Sequence, residues 1–315
     1  MKSQEELFAF AVEAAYRKGV RVAHPTPPVR RTCAVNGSTL SFLDWQSTGA
    51  QPPILLLHGA LLQAHVWDFF CLDMRQQFHI RALDLPGHGD SQWAPDGDYS
   101  RARVSADVAA LIQQLDLTNL VLVGHSFGGA VASIVAAQLP ERIRALVIVD
   151  STLQPTGRPS VRTRAAGGPQ TFASFEEFIR HAATLGRRGD PERLRTSLYW
   201  NASQLPDGAW TWKYDPALRR GPLGPPNFED IWSALQAFSG PILFVRAGEH
   251  SHLTDEAADR LRTLPNTRIV VVPDAAHNVM SDNPLVFRRE VADFLEVIGC
   301  AHAGRASLEA HRPTG

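Results

Sequence analysis

Cysteine is scarce in this 315-residue chain: Cys33, Cys71 and Cys300 are odd in number and far apart. That scatter suggests neither a disulfide framework nor a zinc site. An excess of one charge is missing too, since 31 Lys and Arg stand against 32 Asp and Glu for a formal net charge of −1. With no basic run either, nucleic acid is not an expected partner. No stretch approaches the roughly 20 consecutive apolar residues of a membrane span, so no membrane is expected. The opening Met1-Lys-Ser-Gln-Glu-Glu6 lacks the basic-then-apolar order and the small-residue cleavage site of a signal peptide. Together these absences point to a soluble, reduced, cytoplasmic protein.

What is present is a chain 44% hydrophobic, long enough for one α/β domain with a sizeable insertion. Its most informative stretch is Asn119 to Ala130. Leu120 to Val123 is a short apolar, partly β-branched run that reads as a buried strand. Gly124-His-Ser-Phe-Gly128 follows at once, and Gly129 to Leu139 is small and apolar enough for a helix packed on a sheet. A strand turning straight into a helix lifts Ser126 into a strained, exposed position. Gly124 and Gly128 lack the Cβ that would hold the two backbones apart. Beneath Ser126, the free N–H groups of the helix N-terminus favour developing negative charge. A nucleophile needs this geometry.

With this G-x-S-x-G run between strand and helix, the sequence resembles the α/β-hydrolase superfamily, from about Arg31 to Val297. The motifs are specific for the superfamily and weak for substrate. The resemblance implies an α/β fold, a mostly parallel doubly wound sheet with an inserted, mainly helical cap. It divides the chain into an N-terminal helix and linker (1–28), a hydrolase core (29–152 and 239–299), a cap (153–238) and a flexible tail (300–315).

The residues agree with that division. Ser3 to Lys18 has helical spacing, with Ser3 and Glu6 placed as a capping pair and Gly19 as its end. This helix lies outside the usual core, so it reads as a packing arm, a lid contact or a dimer element, and a homodimer stays open. Asn36-Gly37 between two β-rich runs is a hairpin signal. Pro53 to Leu57, His79 to Leu85, Ala145 to Asp150, Pro241 to Val245 and Arg268 to Val272 read as strands, and Trp67 to Gln77 as an amphipathic helix. Alternation of such runs with helices predicts a parallel sheet, whose active residues gather at strand carboxyl ends. From Ser151 to Phe238 Gly, Pro and Arg become frequent and the helical pieces are short (Ser174 to Leu185, Pro191 to Tyr199).

The resemblance also implies roles. The residue after His58-Gly59, Ala60, and the residue after the nucleophile, Phe127, would each give a backbone N–H to an oxyanion hole. His58 itself, Asp84 in the strand run His79 to Leu85, and His88 in the Pro86-Gly-His-Gly-Asp-Ser91 turn read as structural. A serine hydroxyl needs a base and a group to orient that base. His277, in the loop after the final strand, stands where the family places its histidine. The commonest position for the acid falls on Ser251, which carries no charge. Some relatives place the acid one strand earlier, where this chain has Asp150, and Glu249 is the reserve. The catalytic set is therefore Ser126, Asp150 and His277, with no cofactor and no metal.

The cap is dense in aromatics. Trp200, Trp210, Trp212 and Tyr214 are candidates to line an apolar substrate pocket, against the alternative that they form the cap's own core. Its arginines (Arg158, Arg162, Arg164, Arg187, Arg188, Arg193 and Arg195) read as solvated, with one available for a substrate carboxylate. Serine at position 126 excludes the dehalogenase and epoxide-hydrolase siblings, which use Asp there. The expected activity is hydrolysis of a carboxylic ester or lactone of a small, largely apolar molecule through an acyl-enzyme, with amides open to the same route. The alternatives are a C–C bond hydrolase of a vinylogous diketone and a hydrolase-like ligand sensor with little turnover.

Overall fold

Ser3 starts the first helix, α1 (Gln4–Arg17), with a reciprocal cap. Its hydroxyl accepts from the Glu6 amide at 3.1 Å, and the Glu6 carboxylate accepts from the Ser3 amide at 2.6 Å. Leu7, Phe8, Ala11 and Ala15 form its buried side. The computed structural model describes residues 3–22, 24–47, 49, 51–155, 165–185, 191–220 and 227–300. The tail expected at 300–315 lies outside the described residues except for Cys300, which is buried.

The hairpin follows, as β1 (Val29–Val35) and β2 (Ser38–Trp45), paired from Val35 opposite Ser38 outward. Asn36 and Gly37 have φ of 48° and 76°, the two left-handed residues that a type I′ turn requires. Next come β3 (Ile54–Leu57), a 3₁₀ turn (Ala64–Trp67), α2 (Asp68–Met74), β4 (Ile80–Asp84) and α3 (Arg101–Gln114). After them come β5 (Leu120–His125), α4 (Phe127–Gln138) and β6 (Ile143–Val149). The helix read at Trp67 to Gln77 is therefore shorter, and it is buried almost all round rather than on one face. Asp68, Phe69, Phe70, Cys71, Leu72 and Met74 are all buried, so the helix has no solvent face of its own.

The chain then leaves the sheet through β7 (Thr171–Phe172), α5 (Phe175–Thr184), α6 (Pro191–Trp200), β8 (Ala202–Gln204), β9 (Trp210–Trp212), α7 (Ala217–Arg220) and α8 (Phe228–Ala237). The three short strands form an antiparallel sheet in the order β7-β9-β8, which the sequence reading did not anticipate. Strands of two and three residues carry too few alternations to show a period of two. The chain returns as β10 (Ile242–Ala247), α9 (Asp255–Arg262), β11 (Thr267–Val272), α10 (Val279–Asp282) and α11 (Pro284–Val297).

The main sheet has the order β1-β2-β4-β3-β5-β6-β10-β11, parallel from β4 onward, with β2 antiparallel to its neighbours. Each face buries its own apolar cluster. One holds Trp45, Trp67, Phe70 and Phe287 with α1, α2 and α11. The other holds Leu55, Leu57 and Leu122 with α3, α4 and the cap. Connections leave β3 toward β4 on one side and β5 toward β6 on the other. The crevice between the carboxyl ends of β3 and β5 is thus the switch point at which such sheets bind ligands.

Helix α1 packs on α2 of the core and also on α6 of the cap. One helix therefore touches both the core and the segment inserted between β6 and β10. Phe8, 5% exposed, sits beside Trp45 with ring centroids 6.2 Å apart. Phe8→Ala is expected to cost about 3 kcal/mol. A urea melt with an unchanged midpoint would contradict this packing.

Candidate active site

At the end of β5 the backbone bends through Ser126, with φ 52° and ψ −115°, and enters α4 one residue later. A non-glycine residue in this region is strained and is held there by its surroundings. The bend brings the backbones into contact. A Cβ on Gly124 would lie 2.3 Å from the Gly128 carbonyl oxygen, and one on Gly128 would lie 2.5 Å from those of Leu57 and His58. The Ser151 hydroxyl donates to the Ser126 carbonyl at 2.8 Å, tying the elbow to the chain beyond β6. Ser126 itself is half-buried at the N-terminus of α4.

The loop after β3 lies against this elbow. A Cβ on Gly59 would be 3.2 Å from Ser126 Cβ, so the loop carrying Ala60 passes directly beside the serine. Two histidines hold that loop. His58 Nδ1 donates to the Gly59 carbonyl at 2.8 Å while its Nε2 accepts from the Leu85 amide at 3.0 Å. His88 Nδ1 donates to the Pro86 carbonyl at 2.9 Å and its Nε2 accepts from the Leu61 amide at 3.1 Å. Both rings therefore use their two nitrogens on backbone groups, the structural role expected for them. Asp84 does similar work, accepting from the Ala64 amide at 2.8 Å and from Arg30 at 2.8 Å. Ala60 and Phe127 stand at the two ends of this arrangement, one in the loop and one at the first turn of α4.

Asp150 follows β6 with φ 44° and is fully buried. His277 lies beyond β11, and its Nδ1 donates to Asp150 Oδ2 at 2.8 Å. The carboxylate accepts three further hydrogen bonds: from Ser251 Oγ at 2.5 Å, from the Ala247 amide at 3.2 Å and from the His252 amide at 3.2 Å. Burial alone would push the Asp150 carboxyl up. The hydrogen bond and charge of His277, the Ser251 hydroxyl and the Ala247 amide outweigh it and hold the group below its ordinary value. Glu249, in contrast, is exposed, and none of the described hydrogen bonds joins its carboxylate to His277. Asp150 and His277 thus form a hydrogen-bonded pair whose carboxylate is buried.

One contributor was missed from sequence. His125, the variable residue before Ser126, is fully buried, and its Nε2 donates to the His277 carbonyl at 2.8 Å. Its ring lies 4.6 Å from that of His277, so the last loop is fastened to the strand that carries the serine. No spacing rule marks this position, because the motif leaves it free. Burial, with the neighbouring His277 charge, drives the His125 imidazole well below its ordinary value and keeps it neutral.

The cap aromatics occupy different places. Trp212 and Tyr214 stack beside each other at 5.2 Å, Trp212 packs on Phe178 at 4.4 Å, and Trp210 packs on Phe175 at 4.7 Å. Trp210, Trp212 and Tyr214 are all buried among apolar side chains of the cluster that joins the cap to one face of the main sheet. Trp200 differs: it stacks on His65 of the core at 3.6 Å. Of the cap arginines, Arg195 pairs with Glu176 at 3.0 and 2.5 Å. Arg158, Arg162, Arg164, Arg187 and Arg188 lie outside the described residues, and the side chain of Arg193 is not described.

The family model for the alpha/beta hydrolase fold matches residues 52–284, which takes in the serine elbow, Asp150 and His277. The chain belongs to the alpha/beta hydrolase fold family. This hydrolase is 32% identical over 298 residues to the esterase Rv0045c of Mycobacterium tuberculosis, covering 90% of this chain and 95% of that one. It is 29% identical over 266 residues to the mouse sn-1-specific diacylglycerol lipase ABHD11, covering 81% and 84% of the two chains. The crystal structure of the mycobacterial esterase superposes with a TM-score of 0.75 over 94% of this hydrolase and 100% of that chain, at 29% identity. Among the described residues of the hydrolase, no helix is long and apolar enough to cross a membrane, and no group of three His, Cys, Asp or Glu is placed to hold a metal.

Burial also lowers His58, against its Gly59 hydrogen bond, from 6.5 to about 4. Between those values the folded protein holds fewer protons than the unfolded chain, so stability present above about 6.5 is lost as the pH falls toward about 4. His125, depressed in the same direction, adds to the loss. Each such histidine contributes a slope of up to about 1.4 kcal/mol per pH unit. The urea midpoint is expected to drop between pH 7 and pH 5, and an equal midpoint at both would contradict the neutral burial of these rings.

Proposed function

We propose that this protein is a serine hydrolase that cleaves a carboxylic ester or lactone of a small, largely apolar molecule, without cofactor or metal. The observation that carries the reading is the 2.8 Å hydrogen bond from His277 Nδ1 to a buried Asp150, beside a serine raised on a strained elbow. With Nδ1 donating to the carboxylate, His277 Nε2 keeps its lone pair and can take a proton. Ser126 attacks the substrate carbonyl as His277 accepts the hydroxyl proton. The backbone N–H groups of Ala60 and Phe127 receive the oxyanion. Asp150 fixes the tautomer and stabilises the imidazolium that forms. His277 then gives the proton to the leaving alkoxide, and water repeats the sequence on the acyl-enzyme.

Esters are the favoured bond because the mycobacterial relative, matched along nearly its whole length, is named an esterase. Trp200 stacks on His65 at the seam between core and cap and is kept as the candidate aromatic contact for the substrate.

Hydrolysis of p-nitrophenyl esters of graded acyl length, with labelling by a fluorophosphonate, tests the reading. Ser126→Ala is expected to lower kcat at least about 10³-fold and to abolish labelling. Asp150→Asn should lower kcat about 10²- to 10⁴-fold with KM little changed, and Glu249→Gln should stay within about twofold. Full activity in Asp150→Asn with collapse in Glu249→Gln would move the acid to Glu249. A labelled, active Ser126→Ala would remove the mechanism.

A further inference from the structure

The loop from Gly248 to Leu253 follows β10, between the strands that deliver Asp150 and His277, and it contributes neither of them. It nevertheless touches both. The chain turns at His250, φ 51°, and presents two consecutive residues to the pair. Ser251 Oγ donates to Asp150 Oδ1 at 2.5 Å and accepts from the Leu253 amide at 3.0 Å, so its hydroxyl is aimed by the loop's own backbone. The His252 amide donates to Asp150 Oδ2 at 3.2 Å. The His252 ring lies flat on that of His277, with centroids 3.8 Å apart and planes within 15°. Thr152 Oγ1 approaches His252 Nδ1 at 3.4 Å.

We infer that Ser251 and His252 are positioning residues for the base: the hydroxyl fixes the rotation of the Asp150 carboxylate, and the second imidazole fixes the tilt of His277. The inference rests on the roles proposed above for Ser126, Asp150 and His277. A single hydrogen bond at Nδ1 leaves an imidazole free to swing about the axis of that bond. Nε2, on the far side of the ring, then sweeps across the place where the serine proton must be met. A parallel ring at 3.8 Å blocks that swing on one face, and His125, at 4.6 Å and tilted by 48°, limits it on another. The carboxylate is constrained in the same way. Each of its oxygens accepts two hydrogen bonds, Oδ1 from Ser251 and Ala247, Oδ2 from His277 and the His252 amide. Small misplacements of reacting groups lower rate without lowering affinity, so the signature is in kcat.

The test compares Ser251→Ala, Ser251→Thr, His252→Ala and His252→Phe with the wild type in ester hydrolysis, fluorophosphonate labelling and proton NMR of the bridging His277–Asp150 hydrogen. Ser251→Ala and His252→Ala are expected to lower kcat about tenfold or more with KM within about twofold, and to broaden or move the far-downfield bridging resonance. Ser251→Thr keeps the hydroxyl and His252→Phe keeps a flat ring, so each should recover most of kcat. Wild-type kcat and an unmoved resonance in both alanine variants, with Ser126→Ala inactive, would overturn the positioning roles and leave the mechanism intact. Activity in Ser126→Ala would instead remove the mechanism on which they rest. If an alanine variant fails to fold, His252→Phe against His252→Leu decides, because only the first can stack: equal kcat in the two overturns the role of the ring.

Discussion

A carboxylate removed entirely from water is the constraint around which the site is built. Asp150 is fully buried, and a buried ion without donors would be strongly destabilising. The structure answers with four hydrogen bonds, two to each oxygen, so that the charge is retained. One of those four donors is the His277 imidazole, proposed above as the base. Stability and chemistry therefore share a group: the bond that makes burial of Asp150 tolerable also orders His277. Protonating the carboxyl at low pH would remove both at once.

Around this pair the backbone is fixed by side chains with no chemical step of their own. His58 and His88 each bridge two backbone groups of the loops beside Ser126, and Asp84 gathers the 3₁₀ turn and Arg30. His125 fastens the last loop to the strand of the serine. Buried histidines recur here because a neutral imidazole offers one donor and one acceptor on opposite sides of a small ring. It can therefore satisfy an amide and a carbonyl that no secondary structure pairs.

The fold was legible where the residues were periodic or strongly punctuated. The apolar runs gave the strands, Asn36-Gly37 gave the hairpin, and Ser3 with Glu6 gave the start of α1. The serine elbow was legible because only glycine permits its close backbone approach. Asp150 and His277 were legible as residues at strand ends, but their meeting is a matter of three dimensions that spacing does not encode. His125, Ser251 and His252 were not singled out as partners of the pair. A variable motif position, a serine and one of several histidines in a loop carry no signal until the loop is folded against Asp150. The small cap sheet was hidden by its brevity, and the cap tryptophans by an ambiguity of composition, since a core and a pocket select the same residue types.

Every side chain or amide that solvates Asp150 comes from Ala247 or later, on the far side of the cap. While the ribosome has delivered only the first half of the molecule, β6 ends in a naked anion with nowhere dry to go. Asp150 gains its full set of donors only when the closing segments are in place. A chain cut before the final loop would lack the His277 donor and leave that carboxylate one hydrogen bond short.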